Sequence, residues 1–112
     1  MEQVDRQVQD AQRRAEDASR FRAGMDQVRG RATSQYRDVA AVTDVAGRLV
    51  DLQLTPDALR RDPRGLARLV VATVDAARRD AGNQALTMAG DAFGADSAVV
   101  TRLAAELKVD AP

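Results

Sequence analysis

The N-terminal quarter of the sequence predicts a long helix whose apolar stripe is too narrow to be stable alone. Residues 2 to about 27 contain no proline and a single glycine, Gly24. Small apolar side chains recur at alternating intervals of four and three, the spacing of a seam between two packed helices. A lone helix with so little apolar surface is marginal in water. We predict that this seam contacts a second copy of the chain; the alternative is that it packs on the sheet of its own chain. The seam consists of Val4, Val8, Ala11, Ala15 and Ala18.

Residues 28–54 change to the alternating period of β-strands. Three short strands are predicted, at 28–34, 39–43 and 48–54, with turns at 35–38 and 44–47. Gly47 supplies the positive φ that the second turn needs. The strands are expected to form an antiparallel meander with one apolar and one polar face. The third strand has the clearest alternation, and its apolar residues are predicted to complete the dimer interface: Val50, Leu52 and Leu54.

Two start signals and two stop signals define the helical segments that follow. Thr55-Pro56-Asp57 predicts a short turn, and Asp62-Pro63 begins a second long helix. Gly90 and Gly94 predict its end. Asp96-Ser97 is placed to cap a final helix from about 96 to 107. We therefore predict a main domain over residues 1–94 and a C-terminal extension, partly helical, over residues 95–112.

The order and spacing of these segments resemble those of the YbaB/EbfC family. The resemblance spans about residues 2 to 90 and is carried by the run at 42–54, by Pro56 and Leu59, and by the helix start at 66–72. It implies an α+β fold, with an α-β-β-β-α subunit, a three-stranded antiparallel meander and two long helices, in an intertwined homodimer. It also implies double-stranded DNA as a partner, bound with little or no sequence preference, and a location on the bacterial nucleoid.

The composition excludes several classes of function. The chain has neither cysteine nor histidine, which removes thiolate chemistry, the usual neutral-pH base and the commonest metal ligand. No glycine-rich phosphate loop follows a strand. We therefore predict no enzyme activity, no cofactor and no metal site. No stretch is apolar enough for a membrane span and no signal peptide is recognisable, so we expect a cytoplasmic protein without a membrane partner.

Charge balance makes the DNA prediction depend on local arginine clusters. The chain has 17 basic and 17 acidic residues, and 16 of the basic residues are arginine. The alternative is ordinary surface ion pairing between residues four apart, namely Arg13 with Asp17, Arg14 with Asp10 and Arg79 with Asp75. The arginines predicted to contact DNA are Arg13, Arg14, Arg20, Arg22, Arg78 and Arg79.

Two functional hypotheses follow. The first is a nucleoid-associated homodimer that binds double-stranded DNA. The second is an interaction module that binds a protein partner and not DNA, such as an accessory factor linked to type VII secretion, with which some family members are associated. The balanced charge favours the second hypothesis, as do two departures from the family pattern. The first helix is not rich in Lys, Met and Gln, and a helix replaces the usual glycine-rich tail.

Overall fold

The secondary structure follows the predicted order, with helices flanking a three-stranded sheet. A computed structural model describes residues 2–107 of the chain. A single 3₁₀ turn, Ala58–Arg60, precedes the second helix. The helices and strands are α1 Glu2–Asp26, β1 Gly30–Thr33, β2 Val39–Thr43, β3 Leu49–Leu54, α2 Pro63–Phe93 and α3 Ala98–Leu107.

The sheet is the predicted antiparallel meander, with β2 in the centre. Gly30 pairs with Thr43 across β1 and β2, and Val39 pairs with Leu54 across β2 and β3. A bulge between Val42 and Thr43 shifts the register at the start of β3. Gly47 closes the β2–β3 turn with φ of 83°, as its position in the sequence predicted.

Local capping interactions set the ends of α2 and α3. The Asp62 carboxylate accepts a hydrogen bond of 3.0 Å from the Gly65 amide, and Pro63 occupies the first turn of α2. The helix ends at Gly94, whose φ is 90°. The Ser97 hydroxyl then accepts a hydrogen bond from the Val100 amide at the start of α3. The predicted helix boundaries are therefore confirmed.

The core is built on one face of α2 and consists mainly of small side chains. The part of α2 up to Ala81 packs on β1 and β2, where Thr73, Ala77 and Ala81 are buried. The rest of α2 packs against α3, with Phe21 of α1 at the edge of that cluster. The buried residues of this second cluster are Leu86, Ala89, Val100 and Ala104.

The subunit is elongated and leaves much of α1 and β3 uncovered. Its principal extents are 73 × 22 × 16 Å and its radius of gyration is 19.2 Å. A compact chain of this length has a radius of gyration of about 13 Å. No residue of α1 is buried, and residues 2–20 are all exposed. We call this exposed segment the N-terminal arm.

Replacing Gly30 with alanine should strongly destabilise the fold. A Cβ at this position would overlap the Ala77 carbonyl oxygen and lie 2.7 Å from the Ala81 Cβ. Both belong to α2, so β1 could remain paired only by moving away from the helix. We expect Gly30→Ala to lower the free energy of unfolding by about 3 kcal/mol, measured by urea denaturation.

Gly90→Ala is the matched control for that experiment. The nearest atom to its added Cβ would be the Ala95 Cα at 4.0 Å, and alanine is the better helix former. This variant should be more stable by up to about 1 kcal/mol. Equal effects of the two substitutions would contradict the close approach of β1 to α2.

Candidate nucleic-acid interface

Three of the predicted DNA-contacting arginines lie exposed on α1 and have no acidic partner in the described part of the chain. Among residues 2–107, Arg13, Arg14 and Arg22 take part in no ion pair. Arg20 does pair, with Asp17 at 3.2 Å, but both side chains are largely exposed. Such a surface pair contributes little stability and can be exchanged for a phosphate contact. The α1 arginines are therefore accessible to a polyanion.

The three ion pairs between residues four apart that are the alternative to DNA contact are not formed among residues 2–107. Asp17 pairs with Arg20 rather than with Arg13, and Asp75 pairs with Arg78 at 3.4 Å rather than with Arg79. In both observed pairs the acid precedes the arginine by three residues. This is the favourable order along a helix, whereas Arg13 precedes Asp17.

The third of these pairs, Arg14 with Asp10, does not form either. Both side chains are exposed on the N-terminal arm. A pair in that setting is worth at most a few tenths of a kcal/mol, so nothing holds the two groups together.

Arg78 and Arg79 are neighbours with different surroundings. The Arg78 Nε donates a hydrogen bond of 2.8 Å to the Gly47 carbonyl oxygen, and its Nη1 reaches Asp75. Arg78 therefore ties the β2–β3 turn to α2. Arg79 is exposed and takes part in no ion pair within residues 2–107. Of the two, Arg79 has the guanidinium group available for a ligand.

The residues predicted to form the dimer interface are accessible, and they lie in two separate places. Val4 and Val8 on α1 are 58% and 51% exposed, and Val50 on β3 is 52% exposed. The Phe21 ring meets the Phe93 ring of α2 edge to face, with centroids 5.1 Å apart. The sheet lies instead against the other half of α2. Within one subunit, the structure therefore does not bring the α1 seam and β3 together.

Comparison with models of protein families shows which family the chain belongs to. The model of the YbaB/EbfC DNA-binding family matches residues 1–95. The chain belongs to the YbaB/EbfC DNA-binding family. The match covers α1, the sheet and α2, and stops before α3. Comparisons with curated proteins and with solved structures gave no match.

The description of the YbaB/EbfC family names DNA binding and no chemical reaction. Within residues 2–107, no group of three or more His, Cys, Asp or Glu side chains could hold a metal ion. In the same part of the chain, no helix combines the length and the apolar character that a membrane crossing requires.

At the β2–β3 turn of this family member, the charge of one arginine is neutralised locally. The Asp44 carboxylate accepts hydrogen bonds from the Arg48 backbone amide at 2.9 Å and from its Nε at 3.0 Å. The backbone hydrogen bond is the main cause of the lowered pKa of Asp44, and the Arg48 side chain lowers it further. Asp44 therefore stays ionised at neutral pH and offsets the charge of Arg48.

The β1–β2 turn contains an exposed arginine that lies outside the arginine clusters of the sequence. Arg37 is exposed and adopts φ of 62°, the one left-handed residue other than glycine in the described chain. Arginine carries no sequence signal for that conformation, since Gly, Asn and Asp are the residues that favour it. The exposed Tyr36 lies beside it.

The different surroundings of Arg78 and Arg79 can be tested by replacing each with glutamine. Arg78→Gln should lower the free energy of unfolding by about 1 kcal/mol, because the Gly47 carbonyl loses a charged donor. Arg79→Gln should change it by less than about 0.5 kcal/mol. Thermal or chemical denaturation measures both values. A larger loss for Arg79→Gln would contradict the contacts described for this pair.

Proposed function

We propose that this protein is a nucleoid-associated homodimer that binds double-stranded DNA with little sequence preference in the bacterial cytoplasm. Its membership of the YbaB/EbfC DNA-binding family is the observation that carries the proposal. The exposed arginines of α1 support it, because guanidinium groups without acidic partners are suited to phosphate.

The surface area of the subunit supports a dimer. Its accessible surface is 8348 Å², whereas a compact monomer of 12.1 kDa exposes about 6,000 Å². The excess on one subunit lies within the range that each partner contributes to an obligate homodimer interface. Exposed apolar side chains lie on the N-terminal arm and on β3, which is a free edge of the sheet. A second subunit that covered both would remove an unpaired edge and an unsupported helix.

Contacts from α1 would favour binding without base recognition. Phosphate contacts fix the position of a protein on duplex DNA and carry no direct sequence information. Two-fold symmetry would present each arginine twice, once from each arm. A chain with no net charge would then bind through these local groups and depend strongly on salt concentration.

A duplex titration at several salt concentrations tests DNA binding. Fluorescence anisotropy with two unrelated duplexes should give similar affinities, with the logarithm of the binding constant falling linearly with the logarithm of salt. The double variant Arg13→Gln/Arg14→Gln should reduce the magnitude of that slope by about 2 for each arm in contact, because each phosphate contact contributes about 0.9.

Arg102→Gln on α3 is the control, because it also removes an exposed arginine without an ion pair within residues 2–107. Its salt dependence should equal that of the unmodified protein. No binding to either duplex at about 50 mM salt would refute the proposal, and a strong preference for one duplex would refute its sequence-independent form.

Light scattering tests the dimer and its interface. The unmodified protein should have the mass of two subunits at micromolar concentration. Val8→Asp and Val50→Asp place a charge on the two predicted patches and should shift the mass toward one subunit. Val99→Asp is the matched control, because Val99 is similarly exposed, at 47%, but lies on α3. A stable single subunit of the unmodified protein would contradict the dimer.

The exposed face of α3 favours the second candidate function, a protein-interaction module. This helix lies outside the family match, buries Val100 and Ala104, and leaves Val99 exposed. A shallow apolar depression lies along it, lined by Ala98, Val99, Arg102, Leu103 and Glu106. A defined protein partner recovered through α3, together with nucleic-acid-free purified protein, would favour this function over DNA binding.

A further inference from the structure

The β1–β2 turn, residues 34–38, is rigidly attached to the rest of the fold. The Arg37 amide donates to the Ser34 carbonyl oxygen at 2.8 Å, and the Val39 amide donates to the Ser34 hydroxyl at 3.0 Å. The Thr55 amide donates to the Asp38 carbonyl oxygen at 3.0 Å. These bonds fix the turn at both of its ends.

An ion pair between the buried Asp38 and the partly exposed Arg61 links the turn to the segment that leads into α2. Asp38 is 7% exposed. Its carboxylate accepts a hydrogen bond from Arg61 Nε at 2.8 Å, and Arg61 Nη2 lies 2.7 Å from the same oxygen. A charge-assisted pair of this geometry holds the two segments in one position. The turn is therefore preorganised rather than free to adapt.

Two large side chains project from this fixed turn without supporting the fold. Tyr36 is 72% exposed. Within residues 2–107, the guanidinium group of Arg37 has no hydrogen-bond or ion-pair partner, and its backbone is left-handed at φ of 62°. Such a conformation costs free energy for any residue with a Cβ, and backbone strain of this kind concentrates at functional sites. Among residues 2–107, no hydrogen bond or ion pair of the Arg37 side chain offsets that cost.

The surroundings of the turn carry an excess of positive charge. Residues 34–38 and 55–68 together contain five arginines and three aspartates. Each aspartate is already engaged, Asp38 by Arg61, Asp57 by Arg60, and Asp62 by the Gly65 amide. In contrast, residues 2–22 of α1 contain equal numbers of acidic and basic residues. The turn taken together with residues 55–68 is therefore more basic than this part of α1.

We infer that the β1–β2 turn is a second DNA-contacting element, in which Arg37 and the Tyr36 hydroxyl bind backbone phosphates of the duplex. This inference rests on the proposed DNA binding and adds a contact to it. The turn lies beside the start of α2, whereas the N-terminal arm extends beyond its end. The 31 residues of α2 span about 46 Å, so each subunit has two well-separated regions for a duplex.

Three substitutions of Arg37 separate its charge from its backbone conformation. Arg37→Gln should weaken duplex binding about tenfold and lower the magnitude of the salt slope by about 1 for each turn in contact. Arg37→Lys should keep most of the slope. Arg37→Gly should bind as weakly as Arg37→Gln, yet have a Tm higher by a few degrees, because glycine relieves the left-handed backbone. Anisotropy and thermal denaturation of the full-length protein supply the two measurements.

Photo-cross-linking from position 36 tests contact directly. Tyr36→p-benzoylphenylalanine should cross-link to a labelled duplex, whereas the same replacement at the exposed Val99 should not. Arg102→Gln again controls for the loss of an exposed arginine and should bind as the unmodified protein does. An unmodified protein that binds DNA, with Arg37 variants of equal affinity and slope and no cross-link from position 36, would refute the inference alone. Failure of the unmodified protein to bind any duplex would refute the proposed function and this inference with it.

Discussion

The alanine-lined face of α2 is the surface on which the rest of the subunit depends. Ala77, Ala81, Ala85 and Ala89 recur every four residues and are all essentially inaccessible to solvent. Their small side chains let neighbouring backbones approach closely, as Gly30 does beside Ala77. Close approach of this kind buries little apolar area for each contact. The α2 helix can therefore pack against both the sheet and α3, but the apolar area that these contacts bury within one subunit is small.

The length of α2 determines which part of α1 is packed against the rest of the subunit and which part is exposed. Phe21 is half-buried, because this end of α1 runs alongside the last turns of α2. The contact ends where the Phe21 and Phe93 rings meet, since Gly94 terminates α2 immediately afterwards. The N-terminal arm therefore extends beyond the end of α2, and its residues are exposed. An isolated amphipathic helix with only small apolar residues has marginal stability in water. A second subunit that packed against the arm would bury its apolar stripe.

The sequence predicts the elements well because local interactions determine their ends. Asp62 followed by Pro63 begins α2 and Gly94 ends it, and neither feature requires knowledge of the tertiary structure. The candidate site is less predictable for two physical reasons. Acids three and four residues from an arginine are almost equally placed. Arg78 rather than Arg79 pairs with Asp75 because Arg78 is also held by its hydrogen bond to the Gly47 carbonyl oxygen. The left-handed Arg37 carries no local signal, and its neighbour Asp38 is held by Thr55 and Arg61, which are distant in the sequence.

The placement of the acidic residues explains how a chain without net charge can present basic surface. Asp38, Asp44 and Asp62 each accept hydrogen bonds that shape a turn or a helix start. Their negative charges are held at fixed points and are partly used within the fold, whereas Arg37 has no such role. An approaching polyanion therefore meets the local excess at the β1–β2 turn, because potentials from more distant charges are screened within about 10 Å at moderate salt. The total charge consequently says less about ligand binding than the positions at which carboxylates are fixed.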